Sequence, residues 1–161
     1  MAAPTLEALT PSYNSAATLA QTLTSAWGDN RIPVLLVDDG STDGSAEHAQ
    51  RHEGVRVLRQ RNSGPSVARN RAILESRADF VLFLDSDDLL APGYRKAFEQ
   101  AHAANPQADV FVCGVQLIDE QGRPGHQLAA PSLQPTPFLS MLRHEALVTN
   151  AILVPSQLYV I

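Results

Sequence analysis

The chain has 161 residues, enough for one domain with a hydrophobic core. Its 44% hydrophobic and 18% charged residues are ordinary for a globular domain, and the formal net charge of −5 excludes a nucleic-acid binder that works by neutralising phosphates. No stretch reaches the roughly 20 apolar residues that span a bilayer, and the N-terminus lacks the basic start and apolar run of a signal peptide.

In chain order, strand-like and helix-like stretches alternate, the pattern of a parallel α/β sheet. Residues 6–10 read as a first strand, weakened by Glu7. Residues 16–27 carry an apolar helical stripe that stops at Gly28, and 34–37 form a second strand. Asp43 is placed to cap a helix over 44–51 that Gly54 terminates, before a third strand over 55–58. Ser63 can cap a third helix, with Pro65 in its first turn and Val67, Ala68, Ala72 and Ile73 available to pack inward until about Ser76. A fourth strand spans 80–84, a helix 93–103 and a fifth strand 109–115, with 116–118 extending into a hairpin around residues 119–122. Residues 122–137 read as an irregular loop, 136–144 as a short helix, and 151–154 and 158–161 as strand pieces. Because the chain stops on an apolar run, the expectation is a single domain over 1–161 truncated at its C-terminus, and oligomeric state stays open.

Two acidic clusters end apolar runs: Val-Leu-Leu-Val-Asp38-Asp39-Gly40 and Phe-Val-Leu-Phe-Leu-Asp85-Ser86-Asp87-Asp88. Runs of this kind are strands buried on both faces, and their carboxyl ends form the ligand-binding rim of an open α/β sheet. Strand geometry continued to Asp87 would aim Asp85 and Asp87 to one side, a donor pair suited to Mg²⁺ or Mn²⁺. Asp88 adds a third charge that favours a neutralising cation. The bland alternatives are a strand–turn–helix link at Asp38-Asp39 and a helix-entry turn at Asp85–Asp88. Asn62-Ser-Gly64-Pro-Ser-Val-Ala-Arg69-Asn opens a helix whose amides and arginine suit an anion, or whose Arg69 pairs structurally with a sheet-end aspartate. Pro11-Ser-Tyr13-Asn14 follows the first strand; Tyr13 can stack on a base and Asn14 can orient the loop. The single cysteine, Cys113, reads as a buried core thiol, and the five histidines show no metal spacing.

Taken in order, these motifs resemble glycosyltransferase family 2. The resemblance implies the GT-A fold, a Rossmann-like, mostly parallel sheet with helices on both faces. It also implies an inverting, metal-assisted transfer from a nucleotide-diphosphate sugar, with UDP the expected nucleotide, to a glycan, lipid or other cell-envelope acceptor. Asp39 would contact the base beside Tyr13, and Asp85 and Asp87 would form the Asp-X-Asp pair. Either Asp87 or Asp88 would ligate Mn²⁺ or Mg²⁺ directly. The candidate donor-binding set is Pro11, Tyr13, Asp38, Asp39, Gly64, Arg69 and Ser86; the candidate metal set is Asp85, Asp87 and Asp88. No catalytic base is assigned: the family's base lies well after the Asp-X-Asp pair, whereas Glu145 is the last acidic residue here. Glu7 also departs from the family's aliphatic first strand. The expected location is cytoplasmic, with the inner membrane face reached only through segments outside this chain. One rival is a non-catalytic nucleotide-sugar-binding or partner-binding module. Another is a different nucleotide enzyme, such as a nucleotidyltransferase; a dehydrogenase would need a Gly-x-Gly-x-x-Gly turn where Pro11-Ser-Tyr-Asn-Ser stands.

Overall fold

The computed structural model describes residues 3–119 and 121–128 and the backbone of 152–155. Among the described residues, eight strands and four helices follow one another as β1 (Leu6–Ser12), α1 (Leu19–Trp27), β2 (Val34–Asp38), α2 (Ser45–Ala49), β3 (Val55–Arg59), α3 (Pro65–Glu75), β4 (Phe80–Phe83), α4 (Tyr94–Ala104), β5 (Phe111–Val112), β6 (Val115–Ile118), β7 (Pro124–Leu128) and β8 (Ile152–Pro155). Strands β1 to β4 are parallel, and the main sheet runs β3-β2-β1-β4-β8-β5, with β8 antiparallel to both neighbours. The hairpin β6–β7 is a separate two-stranded sheet.

Period-two alternation sends each central strand's side chains into two cores. Ala8, Val34, Leu36, Phe80, Leu82 and Leu84 pack with Leu19, Leu23 and Ala26 of α1, Ala49 of α2 and Phe98 of α4. Leu9, Leu35, Val37, Val81 and Phe83 pack on the opposite face against Ala68, Ala72 and Ile73 of α3. Each fully buried Leu or Val contributes about 1.5–3 kcal/mol, so β1, β2 and β4 form a rigid floor for the loops that follow them. Phe98 meets Phe80 at 5.3 Å and Phe111 at 5.5 Å, both edge-to-face, and so fastens α4 over β4 and β5.

Several expectations shift. Glu7 does not weaken β1, which pairs with β2 and β4 at the sheet centre; its Oε2 accepts the Ser76 hydroxyl at 2.6 Å. Val67 points outward at 48% exposure, because α3 begins after Gly64 and its inward stripe is Ala68, Ala72 and Ile73. Ser63 does not cap α3: its hydroxyl donates to the Arg61 carbonyl and its amide turns elsewhere. The fifth strand is confined to Phe111–Val112, and Cys113 is half-buried beside the Tyr94 hydroxyl rather than a core thiol. Pro124–Leu128 form a strand where a loop was expected. The helix expected over 136–144 and the strand over 158–161 lie outside the described residues. Gly54, expected to end α2, instead opens β3 with φ +77; a Cβ there would stand 2.1 Å from the Trp27 ring.

Candidate functional site

The chain winds from β1 outward to β3, then crosses back to β4 on the other side of β1. Loops leaving β1 and β4 therefore diverge, and the sheet opens a crevice at their carboxyl ends. A cleft of about 430 Å³ occupies that position.

From β1, Pro11, Ser12 and Tyr13 line it. Tyr13 is 54% exposed and lines the cleft. Asn14 has φ 50 and orients the loop: its amide donates to Ser41 Oγ at 2.9 Å and its side-chain oxygen accepts the Thr42 amide at 2.9 Å. Asp43 adds a second tie, accepting the Ala16 amide at 2.9 Å and the amide and hydroxyl of Ser45. The Ser45 hydroxyl is the larger cause, with the Ala16 amide next, of a carboxyl held below its ordinary value of 3.8.

From β2, the two adjacent aspartates separate. Asp38 is fully buried and absent from the cleft lining; it accepts the Ser41 amide and Arg59 Nε at 3.1 Å. Arg59 in turn reaches Glu47 at 2.8 Å. Asp39 does line the cleft, and its carboxylate gathers the loop before α3: the Ser63 amide at 2.9 Å, the Gly64 amide at 2.8 Å and the Gln60 side-chain amide at 2.7 Å. Gly64, at φ 92, turns the chain there, and Pro65 starts α3. The first turn of α3 and Arg69 form the adjoining wall.

From β4, strand geometry stops at Phe83, so Asp85 and Asp87 are not aligned by the pleat. A turn, in which the Asp88 amide donates to the Asp85 carbonyl at 3.1 Å, brings both onto the cleft beside Ser86. Arg69 donates to Asp85 Oδ1 at 2.6 Å, the ion pair that the sequence left open as a structural alternative. Burial first, then the charges of Asp87 and Asp85, raise the Asp88 carboxyl above its ordinary value.

No group of three or more His, Cys, Asp or Glu side chains is arranged as a metal cage among the described residues. The donor set nevertheless fits Mg²⁺ or Mn²⁺, which take one or two carboxylates and complete their shell with water and substrate phosphate. Asp85 and Asp87 supply such a pair, and their mutual repulsion with Asp88 is what a cation would offset. Two buried polar atoms of the lining, Ser12 Oγ and Arg69 Nε, have no partner among the described residues. Ser12, Ser15, Asn62, Pro65 and Ala68 join the lining although none was a named candidate. Ser12, Asn62, Pro65 and Ala68 sit inside the motifs already quoted, and Ser15 directly follows Asn14 at the end of the first of them.

The family model described as Glycosyl transferase family 2 matches residues 8–155. The uncharacterized glycosyltransferase YibD of Escherichia coli is 35% identical over 144 residues, which cover 84% of this chain and 41% of YibD. The putative teichuronic acid biosynthesis glycosyltransferase TuaG of Bacillus subtilis is 38% identical over 93 residues, covering 53% of this chain and 36% of TuaG. This chain thus spans less than half the length of the curated relatives it matches. Among solved structures, S. aureus TarS superposes with TM-score 0.71 at 22% identity, covering 94% of this chain and 47% of that chain. TarS in complex with UDP-GlcNAc gives 0.64 at 27% identity over 75% of this chain and 37% of that one. The Pyrobaculum calidifontis mannosyltransferase PcManGT in complex with GDP-Man and Mn²⁺ gives 0.59 at 22% identity, covering 73% and 37%.

Proposed function

The chain belongs to glycosyl transferase family 2 and has the GT-A fold, and from that premise we propose that its cleft binds a nucleotide-diphosphate sugar, with UDP as the nucleotide, for transfer to a hydroxyl of a glycan or lipid acceptor of the cell envelope. The observation that carries the reading is convergence. Loops after β1, β2, β3 and β4 each deliver a different chemistry, an aromatic face, a carboxylate, helix-terminal amides with an arginine, and an acidic pair, to one cleft at the sheet's switch point. UDP-GlcNAc in TarS supports the nucleotide class, and the teichuronic acid biosynthesis in TuaG's name supports the acceptor class.

In this reading Tyr13 stacks on the base and Asp39 faces its N–H edge while holding the Ser63 and Gly64 amides. The diphosphate lies along the first turn of α3, where amide dipoles favour negative charge, within reach of Arg69. Asp85 and Asp87 would hold the divalent cation, with Asp88 behind them; Mn²⁺ beside GDP-Man in PcManGT agrees with that choice. When bound, the cation offsets charge on the departing diphosphate. The acceptor oxygen displaces that diphosphate at the anomeric carbon with inversion, giving up its proton to a carboxylate base; none of the residues named here is assigned that role.

Calorimetric titration of UDP with Mn²⁺ present, and again after chelation, tests the donor site. Cation-dependent binding that disappears in Asp87→Ala is expected. A folded protein that binds UDP in neither condition overturns the reading.

A further inference from the structure

We infer that the polar edge of α1 is a positioning device for the acidic turn: Thr18 and Thr22, with Ser15 just ahead of the helix, fix Ser86 and thereby set where Asp85 and Asp87 present their carboxylates. The inference rests on the donor-site reading above, since it concerns what holds that site's acidic pair in place.

Asp85, Asp87 and Asp88 place three carboxylates within four residues, and like charges so close repel one another. A turn so charged, lying beyond the end of β4, needs attractive contacts to keep one shape, and α1 provides them. Thr18 and Thr22 are four apart and so lie on one helix face. Both hydroxyls donate to the Ser86 carbonyl, at 2.9 Å and 3.0 Å, filling its two lone pairs. The hydroxyls of Ser15 and Ser86 share a third hydrogen bond at 2.8 Å. Three of the contacts around this turn therefore meet on the one residue between Asp85 and Asp87. The same edge of α1 continues down the chain: Ser25 Oγ accepts the Leu90 amide at 3.0 Å. Asn30, at the far end of the helix, donates to the Ala91 carbonyl at 3.1 Å.

Two further features point to the turn as the object of this arrangement. Thr22 is wholly buried among Leu19, Leu23 and Ala26, a position where an aliphatic side chain would serve packing alone. Ser15 also belongs to the loop that carries Tyr13: its hydroxyl donates to the Tyr13 carbonyl at 3.4 Å and its amide donates to Ser45 Oγ at 3.0 Å. The loop carrying the aromatic face and the turn carrying the acidic pair thus share one anchor.

The double variant Thr18→Val/Thr22→Val removes both donors while keeping side-chain shape. Loss of such supporting contacts lowers metal affinity by roughly 10-fold or more. Mn²⁺ binding to the UDP-saturated protein is read directly from the free-ion electron paramagnetic resonance signal, and UDP binding in chelator by calorimetry. The expected result is at least that loss in Mn²⁺ affinity, UDP affinity in chelator unchanged, and recovery in Thr18→Ser/Thr22→Ser. Thr18→Val alone, at an exposed position, serves if the double variant does not fold, with a smaller loss in the same direction. Unchanged Mn²⁺ affinity in a folded variant, or an equal loss of UDP affinity in chelator, overturns the inference. Wild-type protein that binds UDP without responding to Mn²⁺ overturns the metal reading itself, and the inference with it.

Discussion

Asp38 is wholly out of solvent, shared between the Ser41 amide and Arg59, whereas Asp39, one residue on, opens onto the cleft with the Ser63 and Gly64 amides on its carboxylate. Alternation at the end of β2 sends the two side chains to opposite faces. Removing Asp38 leaves a buried amide and one guanidinium nitrogen without their acceptor, which costs about 1–3 kcal/mol for an unsatisfied buried group. Half of Arg59 is exposed and can rehydrate, which holds the loss to the lower part of that range. Asp38→Ala is therefore expected to lower the unfolding free energy by about 1–2 kcal/mol while leaving UDP affinity nearly intact. Asp39→Ala is expected to abolish detectable UDP binding. Urea unfolding paired with calorimetry separates the two, and an Asp38→Ala protein of normal stability that no longer binds UDP would place Asp38 in contact with the nucleotide.

At the scale of elements, the loop after β1 is held to the start of α2 by Asp43, whose carboxyl is lowered by the Ser45 hydroxyl and then by the Ala16 and Ser45 amides. A lowered folded-state pKa stabilises the protein fully above the unfolded value, near 3.8, and the contribution is lost as pH falls through the folded value. Asp43→Asn should then be less stable than wild type at about pH 7, with the gap closing as pH falls below the ordinary carboxylate value; urea midpoints taken from neutral pH down through that fall measure it. A gap independent of pH would mean that the carboxylate charge contributes nothing to the tie. The elements themselves were legible to different degrees. β2 and β4 are unbroken apolar runs, and both faces of each are buried. β1 looked doubtful because Glu7 interrupts it, yet pairing on both sides and a hydroxyl partner for the carboxylate outweigh one charge near its end. The inward face of α3 was misjudged by one position at Val67, since the helix phase depends on where the Gly64 turn releases the chain. The antiparallel insertion of β8 between β4 and β5 is a pairing far apart in sequence, which local periodicity does not encode. The site follows the same division. Its motifs announce their chemistry, but the choice between Asp38 and Asp39 depends on strand phase. The hydroxyl edge of α1 gives helical periodicity no apolar signal to mark.

Over the whole molecule the formal charge is −5, and among the described residues lining the cleft Asp39, Asp85 and Asp87 face one guanidinium, that of Arg69. An anionic nucleotide approaching without a cation meets a repulsive potential, concentrated by the concave, low-dielectric walls. Raising ionic strength from about 0.01 M to about 0.1 M shortens the screening length from about 30 Å to about 10 Å, which weakens that repulsion. In chelator, UDP should therefore bind more tightly as salt is added. A divalent cation between Asp85, Asp87 and the diphosphate reverses the local balance, so the same addition of salt should weaken binding when Mn²⁺ is present. Calorimetric titrations at the two ionic strengths, with Mn²⁺ and with chelator, read the sign of each change. Opposite signs follow only if the cation enters where the negative charge is concentrated. Weakening by salt in both series would mean that Arg69 and the α3 amides dominate the field at the diphosphate. The acidic turn would then be offset by the Arg69–Asp85 ion pair, with no bound cation required.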